Sequence, residues 1–135
     1  MIYMLDTNIC IYIIKQKPER VLAKFKSLNV DVQVGISSIV LMELQYGVEK
    51  SAAVHRAKNQ YALDRFLLPF TLFDYPTDAA KHCAKIRADL QKKGRSIGPY
   101  DALIASHAIA LRAILVTNNM NEFNRVKGLK AENWV

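Results

Sequence analysis

Three carboxylates in this sequence, Asp6, Glu43 and Asp101, stand where a freely solvated charge is not expected. Asp6 follows a short apolar run, Ile2 to Leu5, and taken alone suits the N-cap of the next helix. Glu43 is more demanding. On a helix its face-mates three and four residues away are Ile39, Val40, Tyr46 and Gly47. A carboxylate on such a face loses hydration, at a cost met only by a cation, a metal or hydrogen-bond donors. A structural ion pair, or an edge position from which the side chain reaches water, would also satisfy it. Asp101 heads a nearly all-apolar stretch, Ala102-Leu103-Ile104-Ala105 and then Ala108 to Leu111. A helix apolar all round is buried. The macrodipole favours an acid in its first turn, but does not explain an acid facing a sheet edge. Brought together, three acids repel and raise one another's pKa unless a cation neutralises them. Hard divalent ions such as Mg²⁺ take oxygen ligands and use few carboxylates. An ion so held lowers the pKa of a water and stabilises charge on a phosphate, which is the chemistry of phosphodiester hydrolysis.

The elements that must position these acids can be read from patterning. Ile2 to Leu5 reads as a buried strand, and Ile9 to Ile14, capped by Asp6-Thr7-Asn8, as a helix. Pro18 opens a second helix to about Lys26. Val32 to Ile36 is a strand, and Ser37-Ser38 caps a helix from Ile39 to about Lys50. A helix spans Val54 to Leu67 and stops at Pro69; Phe70 to Phe73 is a short strand. Thr77 to Lys93 is the longest helix, closed by Gly94, and Pro99 starts another that runs to Leu111. Ile114 to Thr117 is a fourth strand, and Lys130 to Trp134 a short edge strand. Strands alternating with helices predict one α/β domain over residues 1–135, a three-layer α/β/α sandwich with a mostly parallel sheet. In such sheets, sites form where strand C-terminal ends meet at a switch in strand order. That rule selects Asp6 and Asn118-Asn119, with Asp101 on a helix start at the same edge.

Composition excludes several function classes. At 135 residues the chain can bury a core without staples, and a 51% hydrophobic content rules out a disordered linker protein. Arg112 interrupts the best apolar run, Ile109 to Val116, far short of the ~18 residues of a membrane span. No basic leader precedes the first strand, so a cytoplasmic protein without signal peptide is expected. Cys10 and Cys83 stand apart, with no Cys/His spacing suited to zinc, and His55, His82 and His107 lack metal-spaced partners. Nineteen Lys and Arg against twelve Asp and Glu give a net charge of +7, which favours a polyanionic partner: nucleic acid or an acidic protein.

At these residues the sequence resembles the PIN-domain proteins, and specifically the VapC-type toxins of bacterial toxin–antitoxin pairs. The resemblance covers essentially the whole chain and rests on four motifs in order. They are Met4-Leu5-Asp6-Thr7-Asn8; Ser37-Ser38 with Met42-Glu43-Leu44 and Gly47; Gly94 to Gly98 with Asp101 and Leu103-Ile104-Ala105; and Leu115 to Asn119 with Glu122-Phe123. The tail, with Gly128-Leu129 and Glu132-Asn133-Trp134, is similar too. The resemblance implies a PIN-like nuclease domain in which Asp6, Glu43 and Asp101 ligate Mg²⁺ or Mn²⁺. It implies an endoribonuclease acting on structured RNA, foremost tRNA, with the anticodon region of initiator tRNA as target. It also implies a homodimer neutralised by a VapB-type antitoxin whose C-terminal segment blocks the site.

One departure bears on metal binding. Many PIN domains place a fourth acid where this chain has Asn119, whose amide can accept a hydrogen bond but adds no charge. Glu122 stands near enough in sequence to substitute, or else is an exposed charge before the core residue Phe123. Arg95, in a glycine-flanked loop, can reach phosphate; Thr7 and Asn8 can orient a metal-bound water. Solvation and helix capping are their structural alternatives. Tyr100 is expected in the core, with base stacking as the other possibility. Two other functions compete. A phosphoryl-transfer enzyme using Asp6 as nucleophile is disfavoured because haloacid-dehalogenase-like phosphatases carry a second Asp where Asn8 stands. A non-catalytic PIN-like binding module would use the same acids only as helix caps.

Overall fold

The computed structural model describes residues 1–135. Strand β1 (Ile2–Leu5) delivers the chain to Asp6, whose side chain accepts from the Thr7 N–H and so starts α1 (Thr7–Lys15). Gln16 closes α1 in the left-handed conformation. Pro18 is extended, so α2 (Glu19–Lys26) begins one residue after it. Strand β2 (Gln33–Ser37) runs directly into α3 (Ser38–Glu49), with Ser37 Oγ accepting the Ile39 N–H as N-cap. Helix α4 (Ala53–Leu67) leads to β3 (Thr71–Phe73), then α5 (Thr77–Lys92). Gly94, at φ 66°, ends that helix in a conformation which costs a Cβ-bearing residue more. Helix α6 (Pro99–Leu111) opens with proline in its first turn, where the missing N–H has no intrahelical partner to lose. Strand β4 (Ile114–Val116), α7 (Met120–Phe123) and β5 (Lys130–Glu132) complete the chain.

The five strands form one sheet in the order β3-β2-β1-β4-β5, and every pairing is parallel. The expectation of a mostly parallel sheet is thus met in full. Consecutive residues of β1 and β4 are buried, so helices cover both faces. Close packing at the β2–β3 seam requires Gly35, because a Cβ there would lie 2.1 Å from Phe73 Cε2. The core gathers Met4, Leu5, Ile9, Ile36, Ile104, Leu115 and Phe123, all essentially inaccessible to water. No helix is long and apolar enough to cross a membrane.

Several ends differ from the sequence reading by one or two residues, β5 stopping at Glu132 rather than Trp134, and two differences bear on the site. Thr117 leaves the strand, although its N–H still bonds the Glu132 carbonyl at 2.9 Å. Helix α7 was not anticipated: four residues show no 3.6-residue period, and no side chain caps it. The chain builds β1 to β3 outward on one side, then crosses to β4 on the other side of β1. The switch in strand order therefore falls between β1 and β4, at Asp6 and Thr117.

Candidate active site

Asp6 sits on the C-terminal edge of β1, held by its own N–H to the Val116 carbonyl at 2.9 Å. Its side chain is 5% exposed. Oδ1 accepts the Thr7 N–H at 2.7 Å, and Oδ2 accepts the Thr117 hydroxyl at 2.8 Å. Burial pushes its pKa up, while the bonds from Thr117 and Thr7 pull it down. The Thr117 hydroxyl also accepts the Asn119 N–H at 2.9 Å, so one side chain ties Asp6 to the β4–α7 turn.

Glu43 reaches the same edge from α3. Thr7 Oγ1 donates to its Oε1 at 2.9 Å. Its pKa is raised by burial, lowered by the Thr7 bond, and raised by the charge of Asp6. Its helix face is a rim rather than a core: Val40 is buried, Ile39 and Gly47 are half-buried, and Tyr46 is exposed. No ion pair neutralises it, because the protein's single close salt bridge joins Lys93 to Asp89. The start of α3 is fixed from behind by His107, fully buried, whose Nδ1 lies 2.7 Å from Ser37 Oγ.

Asp101, in the first turn of α6, is half-buried and pushed up to about 7. Burial is the main cause, followed by hydrogen-bonding proximity to Glu122 and the charges of Asp6, Glu122 and Glu43. Glu122 moves the opposite way, held down by Asp101, by the Asn119 amide and by Arg125. Asn119 Nδ2 donates to Glu122 Oε2 at 2.9 Å. Asp101 and Glu122 thus shift in opposite directions, each in the field of the other.

The expected residues divide clearly. Asp6, Glu43, Asp101, Glu122, Asn119 and Thr7 come together at the switch point through these bonds and mutual fields. Glu122 is a half-buried partner of Asp101 rather than an exposed charge, and Thr7 acts on Glu43. Asn8 and Arg95 are exposed and make no side-chain bond to the group. Tyr100 corrects the core expectation: it is 50% exposed beside Asp101, because the first turn of α6 leaves it on the solvent side while Ala102 and Ile104 are buried. Sequence reasoning missed Thr117 and Arg125. Thr117 follows β4 as Asp6 follows β1, so the switch-point rule already contained it. Arg125, whose Nη1 donates to the Ser96 carbonyl at 3.1 Å, carries no local sequence signal.

No three acidic, histidine or cysteine side chains close into a ready metal cage. The donor set does suit a hard cation that keeps some of its waters: four carboxylates, three of them with raised pKa, and no protein cation paired with them. A cleft of about 570 Å³ does not contain these four acids and adjoins them through Arg125.

Comparison with known proteins is consistent along the whole chain. The family model described as PIN domain matches residues 3–129. The chain is 47% identical to the tRNA(fMet)-specific endonuclease VapC of Salmonella typhimurium, over 98% of this chain and 97% of that protein. It is also 47% identical to Ribonuclease VapC2 of Rickettsia felis, over 99% and 98%. Among solved structures, VapBC2 from Rickettsia felis bound to a promoter DNA fragment superposes with a TM-score of 0.93 at 46% identity, covering 100% of both chains. DNA-bound VapBC from Salmonella typhimurium gives 0.90 at 45%, over 100% of this chain and 99% of that one.

Proposed function

This chain belongs to the PIN-domain family, and we propose that it is the metal-dependent endoribonuclease toxin of a toxin–antitoxin pair. The observation that carries the reading is an acid group without an ion-pair partner at the β1/β4 switch point, in a chain nearly half identical to two VapC ribonucleases. The substrate class is RNA, with tRNA(fMet) as the specific candidate because a relative is named for that activity. A VapB-type antitoxin is the expected partner, since structural relatives are VapBC complexes; a homodimer as the active form is part of the same proposal.

Asp6, Glu43 and Asp101 would hold Mg²⁺ or Mn²⁺, with Glu122 beside them in place of the acid that Asn119 does not supply. When bound, such an ion supplies an activated water and an electrophile for the scissile phosphate. The chain's own contribution is placement. Thr117 and Thr7 fix the two oxygens of Asp6, and Thr7 aims Glu43 at the same point. Asn119 orients Glu122. Asp101, whose pKa burial and the neighbouring acids push up to about 7, would be favoured in its ionised form by a bound cation.

The test is cleavage of a tRNA(fMet) transcript by purified protein. Activity should require Mg²⁺ or Mn²⁺, and Asp6→Asn or Asp101→Asn should each lower it on the order of 10³-fold with the fold retained. Undiminished cleavage in EDTA would falsify the metal-dependent reading.

A further inference from the structure

We propose that the cleft between α5 and the Arg125–Lys127 segment is a track for the RNA backbone leading away from the carboxylate site; this rests on the ribonuclease reading. The cleft holds about 570 Å³. Lys85 and Lys92 line one wall from α5, Arg125 and Lys127 line the other, and Ile109 and Val126 contribute to the lining. Its one acid, Asp89, is already engaged by Lys93 at 3.2 Å. Lys85, Lys92 and Lys127 have no ion-pair partner, so the cleft carries unneutralised positive charge.

Two observations select an RNA strand as occupant. Lys85 and Lys92 are seven residues apart on one helix, about 10 Å along its axis. That separation exceeds a single phosphate and suits phosphates one to two nucleotides apart on one strand, within the swing of the lysine stems. The second is continuity with the acids. Arg125 lines the cleft, bonds the Ser96 carbonyl in the loop that leads into α6, and lies close enough to Glu122 to hold its pKa down. A strand whose scissile phosphate lies at Asp101 therefore meets Arg125 first and the lysines next. Apolar floor and lysine stems offer a small anion no ring of backbone donors, whereas a polyanion needs only charge spaced along its path.

The experiment uses full-length protein with Mg²⁺, a tRNA(fMet) transcript, and the triple variant Lys85→Gln/Lys92→Gln/Lys127→Gln. These exposed lysines can change without touching the core. KM should rise on the order of tenfold while kcat is kept, and the log–log salt slope of RNA binding should shrink by about 2, at ~0.7–0.9 per lost phosphate contact. Lys26→Gln/Lys58→Gln, on α2 and α4, should leave KM in place. A triple variant with unchanged KM and salt slope overturns the track, while cleavage by the unsubstituted protein leaves the ribonuclease reading standing. If KM holds and binding of poly-glutamate weakens instead, the cleft serves an acidic protein and the proposal falls. Unsubstituted protein that neither binds nor cuts RNA removes both readings together.

Discussion

The two halves of the acid group solve the same electrostatic problem differently. On the β1 side, both oxygens of Asp6 accept from protein donors, and Glu43 accepts from Thr7. On the α6 side, Asp101 lies in the field of Glu122, and relief comes from the Asn119 amide and the field of Arg125 on Glu122. The first half is preorganised by the fold alone. The second is strained by like charge, and is where a cation has most to neutralise. A single acid cluster can thus combine a rigid anchor with a charge sensor.

The sharpest way to break this contrast is to remove one acid from each half and measure stability without metal. Asp6→Ala deletes an N-cap and leaves the buried Thr117 hydroxyl without its acceptor. It should cost about 2 kcal/mol in chemical denaturation. Asp101→Asn, which relieves repulsion, should leave stability equal or raise it. Equal losses from both would erase the distinction.

Thr117→Val probes how much the anchor depends on one hydroxyl. It removes the donor to Asp6 and the acceptor of the Asn119 N–H together. Cleavage should fall about 10- to 100-fold, as for other groups that orient metal ligands. Retention of full activity would show that the backbone alone holds Asp6.

The smallest effect concerns pH. Asp101 is raised by folding, so its contribution to metal-free stability is present below the ordinary aspartate range and is lost as pH rises through about 7. A bound cation reverses that loss by preferring the ionised form. Mg²⁺ should therefore raise Tm by a few degrees more at pH 8 than at pH 5.5, read by thermal denaturation. A shift independent of pH would separate Asp101 from the metal.

Much of this was legible in the sequence because it is local. The apolar run Ile2 to Leu5, the Ser37 cap, the proline opening α6 and Gly94 closing α5 each act within a few residues. Asp101 could be singled out from its apolar surroundings, whereas Asp6, alone a plausible helix cap, was selected by its place after the first strand. Glu43 was found for a partly wrong reason, since Tyr46 on its supposed core face is exposed. Tyr100 went astray likewise, because residue type does not reveal which way the first turn of a helix points.

The sequence by itself determined every element but α7, that the elements alternate as an α/β domain, and which acids are costly to bury. Only the tertiary structure decided that Glu122 lies in the field of Asp101, that Thr117 clamps Asp6, and that Arg125 links the acids to a basic cleft. The physical reason is range. Capping, periodicity and turn chemistry act between near neighbours in the chain. The field at a carboxylate depends on distance in space, and Thr117 is 111 residues from the Asp6 it holds.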